Sequence, residues 1–254
     1  MLFMKKFFLF LSLSLIFISC KAKPTVVFET KTYDFRTDKN CEEYNCTYIY
    51  LEIPVASGDE VITKPINQVL FEFVNDNLHF HHQPETISYD SLAQQFITEY
   101  EKTTQTYPDF SPAWEANFKV VHNNISEKVY QVVWNYYLFT GGAHGFLGTK
   151  VFFFDLETGK PISTKDLFVN YEGFRKYAQA EFKKQMNING SFAEAGYNLD
   201  EQHFVLPENF YLTKSEWLLY YNPYEIAPYV QGASVISLPK EKIASFLNPI
   251  YFKK

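Results

Sequence analysis

Basic residues are in short supply: 23 Lys plus Arg stand against 29 Asp plus Glu, a net charge of −6 at pH 7. Phosphate neutralisation needs the opposite balance, so a nucleic-acid-binding surface is excluded. No repeat of 20 to 50 residues and no low-complexity tract is present, which excludes a solenoid. No Gly-x-Ser-x-Gly occurs anywhere, so no nucleophile elbow is expected. Glycine (10) and methionine (3) are sparse, whereas 26 Phe, 19 Tyr and 3 Trp bring the aromatic share to 19%. Rings pack well on pleated surfaces, so this composition predicts a strand-rich globular protein.

The apolar run from Phe7 to Ile18 is too short to span a bilayer and follows Lys5 and Lys6, the layout of a secretory signal peptide. Phe17-Ile18-Ser19-Cys20 resembles a bacterial lipobox. The expectation is a signal peptide over 1–19, lipidation of Cys20 and a tether over 20–40. Loss of Lys5 and Lys6 takes the charge from −6 to −8. More than one acyl chain on Cys20 would anchor the protein stably without spanning the membrane. Cys41 and Cys46 remain; an even pair in an exported chain reads as a disulfide. Metal binding by that pair would need two further ligands, and none lies beside it.

Tyr48–Val55 reads as a strand. Two amphipathic helices follow, one carrying Ile66, Val69, Leu70, Phe73, Val74 and Leu78, the other running from an N-cap at Ser88 to Thr104. From Trp114 the period changes to alternation, predicting a hairpin up to Thr140 and a strand over Phe146–Leu156. A helix is predicted over Tyr171–Met186, then a hairpin over Phe210–Tyr221, a strand over Gly232–Leu238 and a last helix from Pro239 to Leu247. The order predicts an α+β fold in two lobes, each an antiparallel sheet with helices packed on one face, over 41–145 and 146–254.

Three stretches carry a resemblance: Tyr137-Leu138-Phe139-Thr140-Gly141-Gly142-Ala143-His144-Gly145; Phe154-Asp155-Leu156-Glu157-Thr158-Gly159-Lys160-Pro161-Ile162 with Lys165–Phe168 after it; and Leu219–Gly232, containing Asn222-Pro223-Tyr224-Glu225-Ile226-Ala227-Pro228-Tyr229. Together they resemble the extracytoplasmic module in which a PdaC-type domain precedes an RsiV-like domain, over about Cys41 to Leu247. Such modules occur in anti-sigma factors, in the non-catalytic part of peptidoglycan deacetylases and in envelope lipoproteins. The sequence shows neither a sigma-binding segment with a membrane-spanning helix nor a metal-binding Asp pair with His-x-x-x-His. The resemblance therefore implies recognition in the cell envelope, of a lysozyme-type protein or of peptidoglycan, without signalling or catalysis.

Four residues stand out as candidate binding groups: His144, Tyr224, Glu225 and Tyr229. His144 between glycines reads either as an exposed general base or as part of a tight interlobe turn; the turn is preferred, because a base needs a partner. The prolines around Tyr224 and Tyr229 hold these rings at fixed places, which serves a binding surface or a structural loop equally, with Glu225 accepting backbone hydrogen bonds in the second case. His79, His81 and His82 offer imidazoles to a metal with Glu85, or meet the end of the preceding helix. Asp90-Ser91-Leu92 resembles an O-glycosylation site of some envelope proteins. The expected protein is a membrane-anchored envelope binding module with no cofactor and no metal. The alternatives are an enzyme acting on envelope glycan, with His144 as base and Glu225 as its partner, and a structural lipoprotein without a soluble ligand.

Overall fold

The computed structural model describes residues 26–38, 46–78, 88–108 and 112–252. The signal-peptide segment, Cys20, Cys41, the histidines at 79–82 and Glu85 lie outside them.

The described residues form a five-stranded sheet, ordered β1 (Val27–Arg36), β2 (Tyr48–Ser57), β3 (Glu115–Asn124), β4 (Val129–Phe139), β5 (Phe146–Asp155), and a three-stranded sheet of β6 (Asn209–Leu212), β7 (Glu216–Tyr221) and β8 (Ser234–Pro239). Helices α1 (Glu60–Leu78) and α2 (Tyr89–Thr106) lie between β2 and β3, α3 (Tyr171–Gln185) between the sheets, and a short α4 (Lys240–Ile243) follows β8. This is the α+β, two-sheet fold expected. One pair departs from antiparallel: β2 and β3 run parallel from Tyr48↔Glu115 to Leu51↔Phe118, because α1 and α2 carry the chain back over one face before β3 begins. Beyond Leu51 the carboxylate of Glu52 accepts the Val120 amide at 3.0 Å.

One expectation needs correction. Residues 27–36, assigned to a tether, form β1; Tyr33 and Phe35 turn towards the helices, and Tyr33 meets Tyr89 at 5.5 Å between centroids. The exposed stretch Glu29–Thr32 hides that alternation in the sequence. The boundary placed at 145/146 falls in the turn of a hairpin, since β4 and β5 pair from Val129↔Asp155 to Leu138↔Phe146. The lobes share this hairpin. Tyr130, Val132, Trp134 and Phe154 belong to the core under α1 and α2, whereas Val129, Val133, Val151 and Phe153 belong to the core with α3 and the second sheet. Burial on both faces explains the almost unbroken apolar run of β4.

Side-chain amides close the sheet edges. On β5, Asn222 Oδ1 accepts the Thr149 amide at 2.7 Å while Asn222 Nδ2 donates to the Thr149 carbonyl at 3.0 Å, and Asn209 Oδ1 accepts the Val151 amide at 3.0 Å. Gln131 treats Leu212 of β6 in the same way, at 2.6 and 3.1 Å, and Gln185 treats Ser237 of β8 at 3.0 and 2.8 Å. Each amide presents the donor–acceptor pair of a peptide group, so an edge is paired without another strand. The contacts of Gln131, Asn209 and Asn222 join the two lobes.

Candidate functional site

The loop between β4 and β5 and the loop between β7 and β8 meet at one surface. Gly141 and Gly142 take φ of +99° and +102°, which glycine adopts without a Cβ clash, so the first loop turns tightly. Gly145 lies against Tyr137, where a Cβ would stand 2.4 Å from the ring. His144 is exposed on this bed, and its Nδ1 donates to the Gly145 carbonyl at 2.9 Å. In the neutral ring, Nε2 is then left as an acceptor.

The second loop is anchored by Asn222 on β5. Glu225 accepts the Asn222 amide at 2.8 Å and the Glu208 amide at 3.3 Å, bracing the turn from within. Burial raises the Glu225 pKa, and those two amides pull it back. Tyr229 donates to the Gly145 carbonyl at 3.1 Å and stacks on His144, with centroids 4.3 Å apart and planes 15° from parallel. Tyr224 follows 5.2 Å from Tyr229. It is 58% exposed and sits at φ +69°, in the left-handed region that a bulky side chain avoids. Such a conformation stores on the order of 1–3 kcal/mol.

The structure thus gathers His144, Tyr229 and Tyr224 into one aromatic stack at the surface, Tyr224 tilted 31° to Tyr229, with the first ring from one loop and the other two from the second. Glu225 stands apart from this chemistry: among the described residues no hydrogen bond or ion pair joins it to His144. Its contacts are those of a loop brace. Three residues escaped the sequence reading. Asn222 opens the Asn-Pro-Tyr-Glu stretch and Gln131 sits in a strand, but neither shows its partner in sequence, because those partners are set by tertiary packing. Tyr137 reads there as one more alternating strand position, yet its ring lies against Gly145, to whose carbonyl Tyr229 donates. Ser91 is engaged in capping α2, exchanging hydrogen bonds with Ser88 in a capping box. Among the described residues no group of three His, Cys, Asp or Glu side chains is arranged to hold a metal, and no helix is long and apolar enough to cross a membrane.

Two lobes sharing a hairpin, joined by amide contacts and bearing an aromatic surface at their junction, define a tandem-domain α+β architecture. Residues 40–147 match the family model Deacetylase PdaC, and residues 165–241 match DUF3298, a protein family of unknown function. The chain carries a PdaC-type domain followed by a DUF3298 domain. It is 24% identical over 164 residues to peptidoglycan-N-acetylmuramic acid deacetylase PdaC of Bacillus subtilis (strain 168), a match covering 63% of this chain and 35% of that protein. The chain therefore matches about a third of that relative's length. Two solved structures share the fold: a DUF3298 family member from Bacteroides fragilis NCTC 9343, with a TM-score of 0.65, and a DUF3298 family protein from Pseudomonas aeruginosa PAO1, with 0.62. Each is 19% identical, with 91% of this chain and 98% of the other covered. The pairing of domains marks an envelope-associated protein.

Proposed function

We propose that this chain is a lipid-anchored envelope module that binds peptidoglycan-type glycan on the His144–Tyr229–Tyr224 stack and performs no chemistry on it. The observation that carries this reading is the stack itself: three adjacent rings at the lobe junction, one of them over half exposed and held at a strained backbone angle. Rigid tyrosines supply broad contact area at little entropic cost, and a sugar ring presents a flat C–H face that packs on them. The acceptor on His144 adds a polar contact at the edge of the platform. The match to a peptidoglycan deacetylase over part of its length supports the ligand class. Non-catalysis is supported by Glu225, whose carboxylate is engaged by two backbone amides rather than by an imidazole. Lipidation at Cys20 and a Cys41–Cys46 disulfide complete the proposal.

The test is cosedimentation of the protein, lacking residues 1–20, with purified sacculi, and a parallel pull-down with lysozyme. Binding to sacculi that falls at least tenfold in Tyr224→Ala, without release of reducing ends or acetate, is the expected result. Capture of lysozyme alone would replace glycan with a protein ligand. Acetate or reducing-end release by wild type that disappears in His144→Ala would make the chain an enzyme.

A further inference from the structure

The first sheet has one face covered by α1 and α2. On its other face the second lobe packs against the β4–β5 side, and among the described residues β1, β2 and β3 line a polar trough beside it. The trough encloses a cavity of about 310 Å³, at the small end of the range for ligand sites, on the order of 300–1,000 Å³. Strand register orders its side chains into rows. Arg36 lies beside Tyr48 and Tyr48 beside Glu115; one step along, Asp34, Tyr50, Asn117 and Tyr137 follow one another across four strands. The second row ends at Tyr137, whose ring lies against Gly145, the residue whose carbonyl accepts from Tyr229. Trough and aromatic stack are therefore neighbours.

Most groups of the trough are fixed by one another. Asp34 holds the Arg36 guanidinium at 2.9 and 3.3 Å, and that guanidinium lies 5.2 Å over the Tyr48 ring. Tyr48 donates to Glu115, and Tyr50 donates to Glu52 at 3.0 Å. Two side chains are left over: the half-buried Asn117 amide and the Lys119 ammonium, for which the described residues provide no hydrogen bond or ion pair. The half-buried Asn117 amide and the exposed Lys119 ammonium, with no protein partner among the described residues, stand side by side on β3 with their hydrogen-bonding capacity free for a ligand. Both signs of charge line the trough, and the tyrosines wall it. The ligand this suits is neither a bare sugar nor a simple anion but a short extended peptide with carboxylates and an amine.

We infer that the trough binds the stem peptide of peptidoglycan, with Lys119 meeting a carboxylate and Asn117 a peptide group. This rests on the glycan reading above and extends it, since the peptide would branch from a sugar chain seated on the neighbouring rings. The dimensions agree. Three strand spacings from β1 to β4 are about 14 Å, and a tetrapeptide in extended form spans about 13 Å.

The experiment titrates two probes separately into wild type and into the Asn117→Ala, Lys119→Ala double variant, observed by isothermal calorimetry and amide chemical shifts. One probe is a free stem tetrapeptide with a diamino-acid residue; the other is a glycan strand stripped of peptides by an amidase. Neither substituted side chain has a partner among the described residues, so an unchanged melting temperature is expected and is checked. The expected result is tetrapeptide binding by wild type, with shifts on β2 and β3, weakened at least tenfold in the double variant. No tetrapeptide binding by wild type, or equal binding by the double variant, overturns the inference. The stripped glycan reports on the aromatic stack alone: if it fails to bind while the tetrapeptide binds, the stack reading falls and the trough stands.

Discussion

Replacing Asn222 with alanine removes both hydrogen bonds that join the β7–β8 loop to β5. Thr149 is 2% exposed, so its amide and carbonyl lose their partner where water has little access. Each lost bond is worth about 1 kcal/mol net, and a buried group left unpaired costs about 1–3 kcal/mol. With partial relaxation of the loop, the variant is expected to lose roughly 2–4 kcal/mol. In a chain of this size each kcal/mol moves the melting temperature by about 2–4 °C, giving a fall of about 5–15 °C. Asn222→Asp keeps an acceptor for the Thr149 amide but turns a carboxylate oxygen towards the Thr149 carbonyl, so it is expected to fare no better than alanine. Thermal unfolding by near-ultraviolet circular dichroism measures the shift, and amide exchange at Thr149 locates it. A fall below about 2 °C with unchanged exchange at Thr149 would refute the view that this amide holds the β7–β8 loop to β5.

Three further expectations concern other parts of the chain. Tyr224→Gly should be more stable than Tyr224→Ala by about 1 kcal/mol, because only glycine relieves the φ of +69°; equal melting temperatures would show that no strain is stored there. Burial lowers the His122 pKa below its ordinary 6.5, where the ring bridges Tyr130 at 2.6 Å and Thr30 at 2.8 Å. Between pH 6.5 and the folded-state pKa the unfolded chain binds the extra proton, so this contribution is complete above pH 6.5 and is lost as pH falls; His122→Asn should flatten the decline, and an unaltered slope would remove His122 as its cause. Cys20→Ser should release the protein from membranes, and Cys41 and Cys46 should resist alkylation until reduced; persistent membrane association or free thiols in the oxidised protein would contradict the anchor and the disulfide respectively.

Local chemistry made some elements readable. Ser88 was expected as the cap of α2 and is its N-cap, and the continuous apolar run of β4 marks a strand covered on both sides. Other elements were obscured by competing signals. The start of α1 is hidden by Val61-Ile62-Thr63, β-branched residues that read as strand, whereas Asp59 caps the helix by accepting the Val61 amide at 3.0 Å. The last helix was expected to reach Leu247 but α4 stops at Ile243, after which the chain turns so that Leu247 bridges Phe168. In the candidate site, Pro and Gly made the two loops visible and their rings conspicuous. What sequence could not show was which groups face each other. Glu225 beside Tyr224 looks like part of a polar site until the backbone reveals that its carboxylate is turned to Asn222 and Glu208.

The stack exists only when the lobes are docked. His144 stands on the loop of the shared hairpin, Tyr224 and Tyr229 on a loop of the second lobe, and Tyr229 reaches across to the Gly145 carbonyl. If a fraction of molecules had the second loop undocked, apparent affinity would fall by that fraction, since only the docked form presents all three rings. The amide contacts of Asn222, Asn209 and Gln131 therefore keep that fraction close to one without being part of the surface. Strain at Tyr224 is sustained by the same contacts, because Asn222 and Glu225 fix the backbone on either side of the turn. It follows that Asn222→Ala should weaken glycan binding although Asn222 touches no ring of the platform, and that the loss should shrink on cooling as the docked form regains population. A binding loss with no temperature dependence would place Asn222 at the ligand itself rather than beneath it.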